Sequence, residues 1–444
     1  MKLDQKKTFF VGLAFFLISI FWTAYDAIVP LTLTNVFGQD EFVSGIIMSL
    51  DNVFAVFLLP IFGAISDKCT NSRFGRRTPF IFLGTVFAVV SFIVLGYMTN
   101  LVGFIIVLLM TLLSMAIFRS PAVALMPDVT LKPLRSKGNA IINLMGTAGG
   151  IIALVLGMVF GTDKKDTTDF SLYIIAICAC MILSLIVFLL TVKEKKWAAE
   201  MEADSVKYGI EEKEENTSAE QRKLSKPELI SLILILASVA LWYIGYNAVT
   251  SKYSVYATNI LEVSYAETLI IAQAAAVIAF IPVGIISSKI GRRKSILIGI
   301  AMLTTAFIAA SFITKGTPAF VMYILFALAG IGWATINVNS FPMVVELAKG
   351  SDVGKYTGFY YTASMSAQIV TPILSGFLIK HLSWEIFFPY AAFFAACSFV
   401  TMFFVKHGDS KPAAKVGLDA FNEGEDAVEF GDGSLDSIEA QSED

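Results

Sequence analysis

The chain has 444 residues, of which 56% are apolar and 16% are charged, with a formal net charge of −3. Soluble domains average roughly a quarter charged residues, so this composition excludes a soluble globular protein and predicts an all-α membrane protein. The four cysteines follow no metal or disulfide spacing, and the sequence contains no Walker loop. We therefore expect no cofactor, no bound metal, no nucleic-acid partner and no enzymatic activity.

Twelve apolar runs are long enough to cross a bilayer, which requires about 20 residues. They predict transmembrane spans 1–12, at about residues 9–29, 42–65, 78–98, 101–125, 138–160, 170–192, 228–250, 266–287, 294–314, 318–343, 356–380 and 384–405. The first run continues to Pro30 without a small-residue cleavage site, so we expect a retained span rather than a signal peptide.

Two polar segments divide this pattern into domains. Residues 193–226 mix basic and acidic side chains, which predicts a solvated, partly helical cytoplasmic linker between six-span bundles at 1–192 and 227–405. Residues 406–444 are rich in Asp and Glu and predict a disordered, acidic cytoplasmic tail. Most of the 33 Lys and Arg residues lie on one side if both termini are cytoplasmic, so we expect that topology in the plasma or inner membrane.

A charged loop between spans 2 and 3, at residues 63–79, is the most informative stretch of the chain. A reduced copy lies between spans 8 and 9, at residues 284–294. Asp128 and Glu346 also occupy equivalent positions, at the ends of spans 4 and 10. The repeat predicts two pseudo-symmetric six-helix bundles around a central path, which is typical of secondary transporters.

The same loop predicts a gate on the cytoplasmic side. A glycine lets two helices approach closely, an aspartate is favoured at the N-terminus of a neighbouring helix, and nearby arginines complete a charge cluster. The alternative is that the positive charge only anchors the topology. The gating candidates are Gly63, Asp67, Arg73, Gly75, Arg76 and Arg77 in the first loop, Arg292 and Arg293 in the second, and Asp128 and Glu346.

Two of these stretches resemble a known family. The loop ending in Arg73-Phe-Gly-Arg-Arg-Thr-Pro-Phe is similar to that of the major facilitator superfamily, and its form is closest to the sucrose-transporter branch of the glycoside–pentoside–hexuronide:cation symporters. The stretch from Arg119 to Asp128 is similar to span 4 of that branch. The resemblance implies the major facilitator fold, a gating role for the loop through pairing with span 11, and cation-coupled sugar transport.

The sequence departs from these symporters at their coupling positions. Sodium-coupled melibiose carriers place two aspartates in span 2, where this chain has Ala55 and Leu59. Plant sucrose carriers place an aspartate before the span-4 arginine, where this chain has Leu108. We therefore expect the coupling residue elsewhere, and protons rather than sodium as the coupling cation.

Ionisable residues inside a span are expensive unless they are paired or hydrated, so each one is a functional candidate. The carboxylates of spans 1 and 2 are candidates for proton uptake or for hydrogen bonds to the solute. The alternatives are a residue that faces lipid headgroups, a structural hydrogen bond and, for the arginine, snorkelling to the cytoplasm. These candidates are Asp26, with Trp22 and Tyr25 beside it, Asp51, followed by Asn52, and Arg119.

Uncharged polar and aromatic side chains recur on five further spans. They suit a neutral, hydroxyl-rich solute, since sugar C–H faces stack on rings and hydroxyls bond polar groups. For any single residue the alternative is helix–helix hydrogen bonding. The candidates are Asn143, Tyr243, Tyr246, Asn247, Gln273, Trp333, Asn337, Tyr361 and Gln368.

Together these patterns predict a secondary active transporter that works as a monomer by alternating access. We expect proton-coupled symport of a disaccharide-like sugar or glycoside. One alternative is an exporter of apolar or drug-like molecules, which the Phe-rich spans also suit. Another is a sugar sensor, which would keep the polar faces and signal through the acidic tail without transport.

Overall fold

The structure is a computed structural model that describes residues 3–69, 73–131, 134–165, 167–208, 225–347 and 353–408. Part of the predicted linker, residues 209–224, lies outside the described residues. So do residues 409–444, which make up nearly all of the predicted tail, and residues 70–72 of the charged loop.

Within the described ranges the chain forms thirteen α-helices. In chain order they are α1 (Gln5–Leu31), α2 (Glu41–Asp67), α3 (Thr78–Gly96), α4 (Leu101–Val129), α5 (Arg135–Phe160), α6 (Ser171–Thr191), α7 (Glu194–Lys207), α8 (Lys226–Val255), α9 (Tyr265–Ile290), α10 (Arg292–Ala310), α11 (Ala319–Glu346), α12 (Val353–His381) and α13 (Phe387–Phe403). Short π-helical segments, Thr32–Val36 and Tyr256–Leu261, extend α1 and α8.

Twelve of the described helices are long and apolar enough to cross a membrane. Spans 1–6 correspond to α1–α6 and spans 7–12 to α8–α13, while α7 lies in the predicted linker. The prediction of an all-α protein with twelve transmembrane helices is therefore confirmed.

Span 7 differs most from its prediction. It was expected to end near residue 250, whereas α8 runs to Val255 and its π-helical extension to Leu261. Apolar residues and tyrosines continue through this stretch, so the run exceeds the length that a bilayer requires. The predicted limits of span 7, residues 228–250, leave Lys252 outside the span. This placement is wrong, because Lys252 is fully buried within α8.

Spatial clustering divides the chain into two compact units. The first contains Met1–Phe37, Val53–Thr162 and Thr167–Lys213. The second contains Gly38–Asn52, Asp163–Asp166 and Glu214–Asp444. The helix α2 thus contributes its first half to the second unit and its second half to the first.

Glycines permit close helix contacts inside each unit. In the first unit α1 packs along α5, and a Cβ on Gly149 would lie 2.6 Å from the carbonyl oxygen of Phe16. In the second unit α9 packs along α11, and a Cβ on Gly330 would lie 2.2 Å from the carbonyl oxygen of Ala272. Such small residues allow membrane helices to approach backbone to backbone.

The contact at Gly330 yields a testable prediction. Gly330→Ala forces α9 and α11 apart, and overpacking of this kind costs about 1–3 kcal/mol. We expect a lower midpoint in thermal unfolding of the detergent-solubilised protein, followed by intrinsic fluorescence. Gly358→Ala is the matched control, because a Cβ at Gly358 in α12 meets nothing within 4 Å. Equal midpoints for the two variants would contradict the packing described here.

Candidate solute and gating sites

The first unit brings together predicted residues of α1 and α4. Arg119 is only 4% exposed, and its guanidinium carbon lies 5.5 Å from the centre of the Trp22 ring. The ring of Tyr25, which is fully buried, lies 5.2 Å from that of Trp22, and the half-buried Asp26 follows it. A cation over an indole face is attracted by the ring quadrupole, so this group provides a buried positive charge on an aromatic surface.

The other predicted residues of the N-terminal half lie on α2 and α5, whereas this group lies on α1 and α4. Asp51 and Asn52 are half-buried in the first half of α2, which clusters with the second unit. The carboxylate of Asp51 accepts a hydrogen bond of 2.7 Å from the side-chain amide of Asn52. Asn143 of α5 is 8% exposed and belongs to the first unit.

The second unit gathers rings and hydroxyls from α8, α11 and α12. Tyr246 stacks on Trp333 with ring centres 5.9 Å apart. The hydroxyl of Tyr243, one turn earlier in α8, hydrogen-bonds that of Tyr360. The hydroxyl of Tyr360 also lies 2.9 Å from Oγ of Ser340. The predicted residues Tyr243, Tyr246 and Trp333 therefore belong to one described unit, together with Tyr360, which the sequence pattern does not single out.

Tyr361 and Asn247 complete this part of the second unit. The ring of Tyr361 lies 5.7 Å from that of Tyr360, its neighbour on α12. Asn247 is buried and its side-chain amide donates to the carbonyl of Tyr243 at 2.9 Å, within α8. Its nitrogen is thus held by its own helix, and this bond is not the helix–helix hydrogen bond that was the structural alternative.

Three predicted amides each bury an oxygen for which the described residues supply no hydrogen-bond donor. They are Gln273, Asn337 and Gln368. The side-chain nitrogen of Asn337 donates to the carbonyl of Trp333 at 3.0 Å, which fixes the orientation of the amide. A buried acceptor without a donor costs about 1–3 kcal/mol, so a hydroxyl-bearing solute would gain by donating to these oxygens.

Three of the gating candidates, Asp67, Arg76 and Asp128, lie around the buried Arg77. Its Nε donates to Asp128 at 2.8 Å, and its guanidinium also pairs with Asp67 and donates to Ser66. Arg76 donates to the same Asp128 carboxylate at 2.9 Å. Burial alone would lower the pKa of Arg77, but the hydrogen bonds and charges of Asp128 and Asp67 outweigh burial and raise it. Arg77 is thus a permanent cation shared by two carboxylates.

The remaining loop candidates occupy distinct positions. Gly63 is buried in α2, and its carbonyl accepts a hydrogen bond of 2.8 Å from Ser66. Arg73 is exposed. Gly75 has a φ of +117°, and a Cβ there would lie 2.3 Å from the carboxyl carbon of Glu194. Both the backbone conformation and the close approach require glycine at this position.

Glu194 is a site residue that the sequence pattern does not indicate. It is the first residue of α7, in the segment expected to be a solvated linker, yet it is 2% exposed. Its carboxylate accepts hydrogen bonds from the backbone amides of Arg77, at 2.8 Å, and Thr78, at 2.7 Å. These amides lie at the N-terminus of α3, where backbone donors lack partners within the helix and negative charge is favoured.

In the second loop copy, Arg293 is anchored to the end of α13. Its guanidinium donates to the carbonyl of Phe403 and lies 5.8 Å from the ring of that residue. Arg292 is half-buried. The half-buried Glu346 is the last residue of α11, while Asp128 is the penultimate residue of α4. The two acidic residues of the repeat thus lie at equivalent helix ends.

The comparisons with known proteins cover both halves of the chain. The family model of the Major Facilitator Superfamily matches residues 11–281 and 268–428. The chain belongs to the major facilitator superfamily. An uncharacterized MFS-type transporter of Methanocaldococcus jannaschii is 24% identical over 413 residues, which make up 90% of this chain and 95% of that protein.

Solved transporters share the fold at low sequence identity. The xylose transporter XylE from E. coli matches with a TM-score of 0.66 and 12% identity, over 96% of this chain and 98% of that chain. The nucleoside transporter NupG matches with a TM-score of 0.64 and 13% identity, over 89% and 99%. A peptide transporter, POT, matches with a TM-score of 0.65 and 14% identity, over 90% and 93%.

These matches confirm the predicted major facilitator fold. Membership of the superfamily identifies the protein as a multi-pass membrane transporter of small solutes. The narrower placement in the glycoside–pentoside–hexuronide branch stays a prediction.

Substitution of Glu194 tests whether its carboxylate stabilises the N-terminus of α3. Glu194→Gln keeps the shape of the side chain but turns an amide donor toward the α3 amides, and we expect a loss of about 1–3 kcal/mol. The readout is the thermal unfolding midpoint in detergent. Glu202→Gln, at an exposed position of the same helix, is the matched control and should leave the midpoint unchanged. An unchanged midpoint in Glu194→Gln would show that the carboxylate does not hold this junction.

Proposed function

We propose that this superfamily member is a proton-coupled symporter of a sugar or glycoside, with a disaccharide-like solute, and that it works by alternating access. The observation that carries the proposal is the group of rings and amides in α8, α11 and α12. Tyr246 and Trp333 offer stacked ring faces. Asn337 and Gln368 offer buried acceptors. Apolar rings next to a few fixed polar groups match the alternation of C–H faces and hydroxyls on a sugar.

Carboxylates within the spans support proton coupling. Asp26 lies half-buried beside the aromatic group of α1, and Asp51 lies half-buried in α2. A carboxyl that moves between polar and apolar surroundings during transport changes its affinity for a proton. We propose that one of the two takes up the transported proton and that Arg119, held over Trp22, binds the solute or orients it.

The charge cluster around Arg77 supports a gating role for the first loop. Asp67, Asp128 and Arg77 lie on three different segments, so separation of these segments breaks the ion pairs and their return restores them. From the bias of Lys and Arg we place this cluster on the cytoplasmic side, in a monomer of the plasma or inner membrane with both termini inside.

The exporter alternative fits this arrangement less well. An exporter of apolar compounds gains nothing from buried amide acceptors, which cost free energy when no donor meets them. The sensor alternative depends on the acidic tail, which lies outside the described residues.

Uptake of radiolabelled disaccharides into proteoliposomes tests the proposal. We expect an inward proton gradient to accelerate uptake, and we expect Asp26→Asn or Asp51→Asn to reduce the rate to that seen without a gradient. Asp40→Asn is the control, because Asp40 pairs with Lys380 at a partly exposed position. Equal uptake rates with and without the gradient would show that the protein is a facilitator, which moves its solute without proton coupling. No uptake of any sugar, by protein shown to be folded, would overturn the glycoside assignment.

A further inference from the structure

A buried ion pair joins α2 and α8 within the second unit. Nζ of Lys252 lies 2.8 Å from the Glu41 carboxylate and 2.7 Å from the Glu41 carbonyl oxygen. The Lys252 side chain is fully buried, and that of Glu41 is 8% exposed. Glu41 is the first residue of α2 and Asp67 its last, so this pair lies at the opposite end of α2 from the Arg77 cluster.

Such a pair is not explained by stability alone. Removing two charges from water costs several kcal/mol for each ion, and apolar residues of similar volume often stabilise a protein equally well or better. Loss of charge on one partner, by contrast, leaves the other charge buried without compensation. A buried pair is therefore well suited to a switch, since protonation of the acid removes the attraction in one step.

The start of α2 is also packed tightly against α12. A Cβ on Gly45 would lie 2.0 Å from the carbonyl oxygen of Pro372, and a Cβ on Gly376 would lie 2.1 Å from that of Glu41. Two glycines, one on each helix, thus let the backbones touch beside the ion pair. Phe42, next to Glu41, also packs on Phe377 of α12 with ring centres 5.8 Å apart. The Glu41–Lys252 ion pair supplies a specific polar contact between this end of α2 and α8.

Other charged groups lie around the pair. Asp40 precedes α2 and pairs with Lys380 of α12 at 2.8 Å. The hydrogen bond from Lys380 lowers the pKa of Asp40. The Asp40–Lys380 pair is partly exposed to water, whereas the Glu41–Lys252 pair is buried. His381, the last residue of α12, packs on Phe377 with ring centres 4.3 Å apart. Any test must therefore distinguish protonation of Glu41 from protonation of Asp40 or His381.

We propose that Glu41 is a proton-binding site of this transporter, and that its protonation releases the first half of α2 from α8 and α12. The step transfers one proton from a hydronium ion to a carboxylate oxygen, so an O–H bond of hydronium breaks, an O–H bond of the carboxyl group forms, and a water molecule is left. Lys252 keeps its charge and becomes hydrated as the helices separate. The inference rests on transport by alternating access, as in the proposed function, but on no particular solute.

Cysteine labelling measures this release without any solute. In a background in which Cys69, Cys178, Cys180 and Cys397 are replaced, Ser44→Cys places a thiol at a fully buried position of α2. Thr314→Cys places a reference thiol in the exposed loop after α10. The ratio of their labelling rates with a water-soluble maleimide cancels the pH dependence of the thiol itself. We expect this ratio to rise by up to about tenfold per unit fall in pH, the limit for one linked proton.

Substitutions show whether Glu41 or one of its neighbours causes the pH dependence of the labelling ratio. Glu41→Gln mimics the protonated acid and should give a high ratio at every pH. Asp40→Asn and His381→Gln should keep the pH dependence. A labelling ratio that does not change with pH in the protein with Glu41 intact would overturn the proposal. So would a ratio that still depends on pH in Glu41→Gln, or one that no longer depends on pH in His381→Gln. If Glu41→Gln does not fold, Glu41→Asp retains a carboxylate on a shorter side chain and should raise the ratio at neutral pH while keeping its pH dependence. Failure of sugar uptake would leave this result unaffected.

Discussion

A charge buried among apolar helices must have a fixed partner, and this constraint organises much of the described structure. Arg77 is shared by Asp67 and Asp128, Glu194 binds the first amides of α3, and Lys252 binds Glu41. Asp67 and Arg77 lie ten residues apart on either side of one loop, whereas the other partners come from segments far apart in the sequence. The pairs therefore determine which loop meets which helix, while apolar packing and glycine contacts determine how closely the helices approach.

The helix α2 carries this constraint at both of its ends. Its last residue, Asp67, belongs to the Arg77 cluster in the first unit, and its first residue, Glu41, pairs with Lys252 in the second. The alternating access that we propose for this protein requires contacts that break and re-form in each transport cycle. Ion pairs suit this task because they re-form with the same geometry after each separation, and because a proton or a charged side chain can change their strength.

Most of the fold and part of the site are predictable from the sequence, because hydropathy and charge are local patterns. Twelve apolar runs predict the twelve spans, and the loop motif predicts a cluster that includes Asp67, Arg77 and Asp128. Glu194, Tyr360 and the Glu41–Lys252 pair are not predictable in this way. Glu194 lies in a polar segment, Tyr360 is one of many aromatic residues, and Lys252 follows a run already long enough to span the bilayer. Only the tertiary packing brings each of them to its partner.

The coupling roles that we propose for Asp26 and Asp51 require movement of protons together with solute. The most direct measurement is the external pH of weakly buffered proteoliposomes when sugar is added without an imposed gradient. Symport predicts that the medium becomes alkaline in proportion to sugar uptake and that a protonophore abolishes the change. Sugar uptake with no change in pH would contradict proton coupling and leave a transporter that only equilibrates its solute.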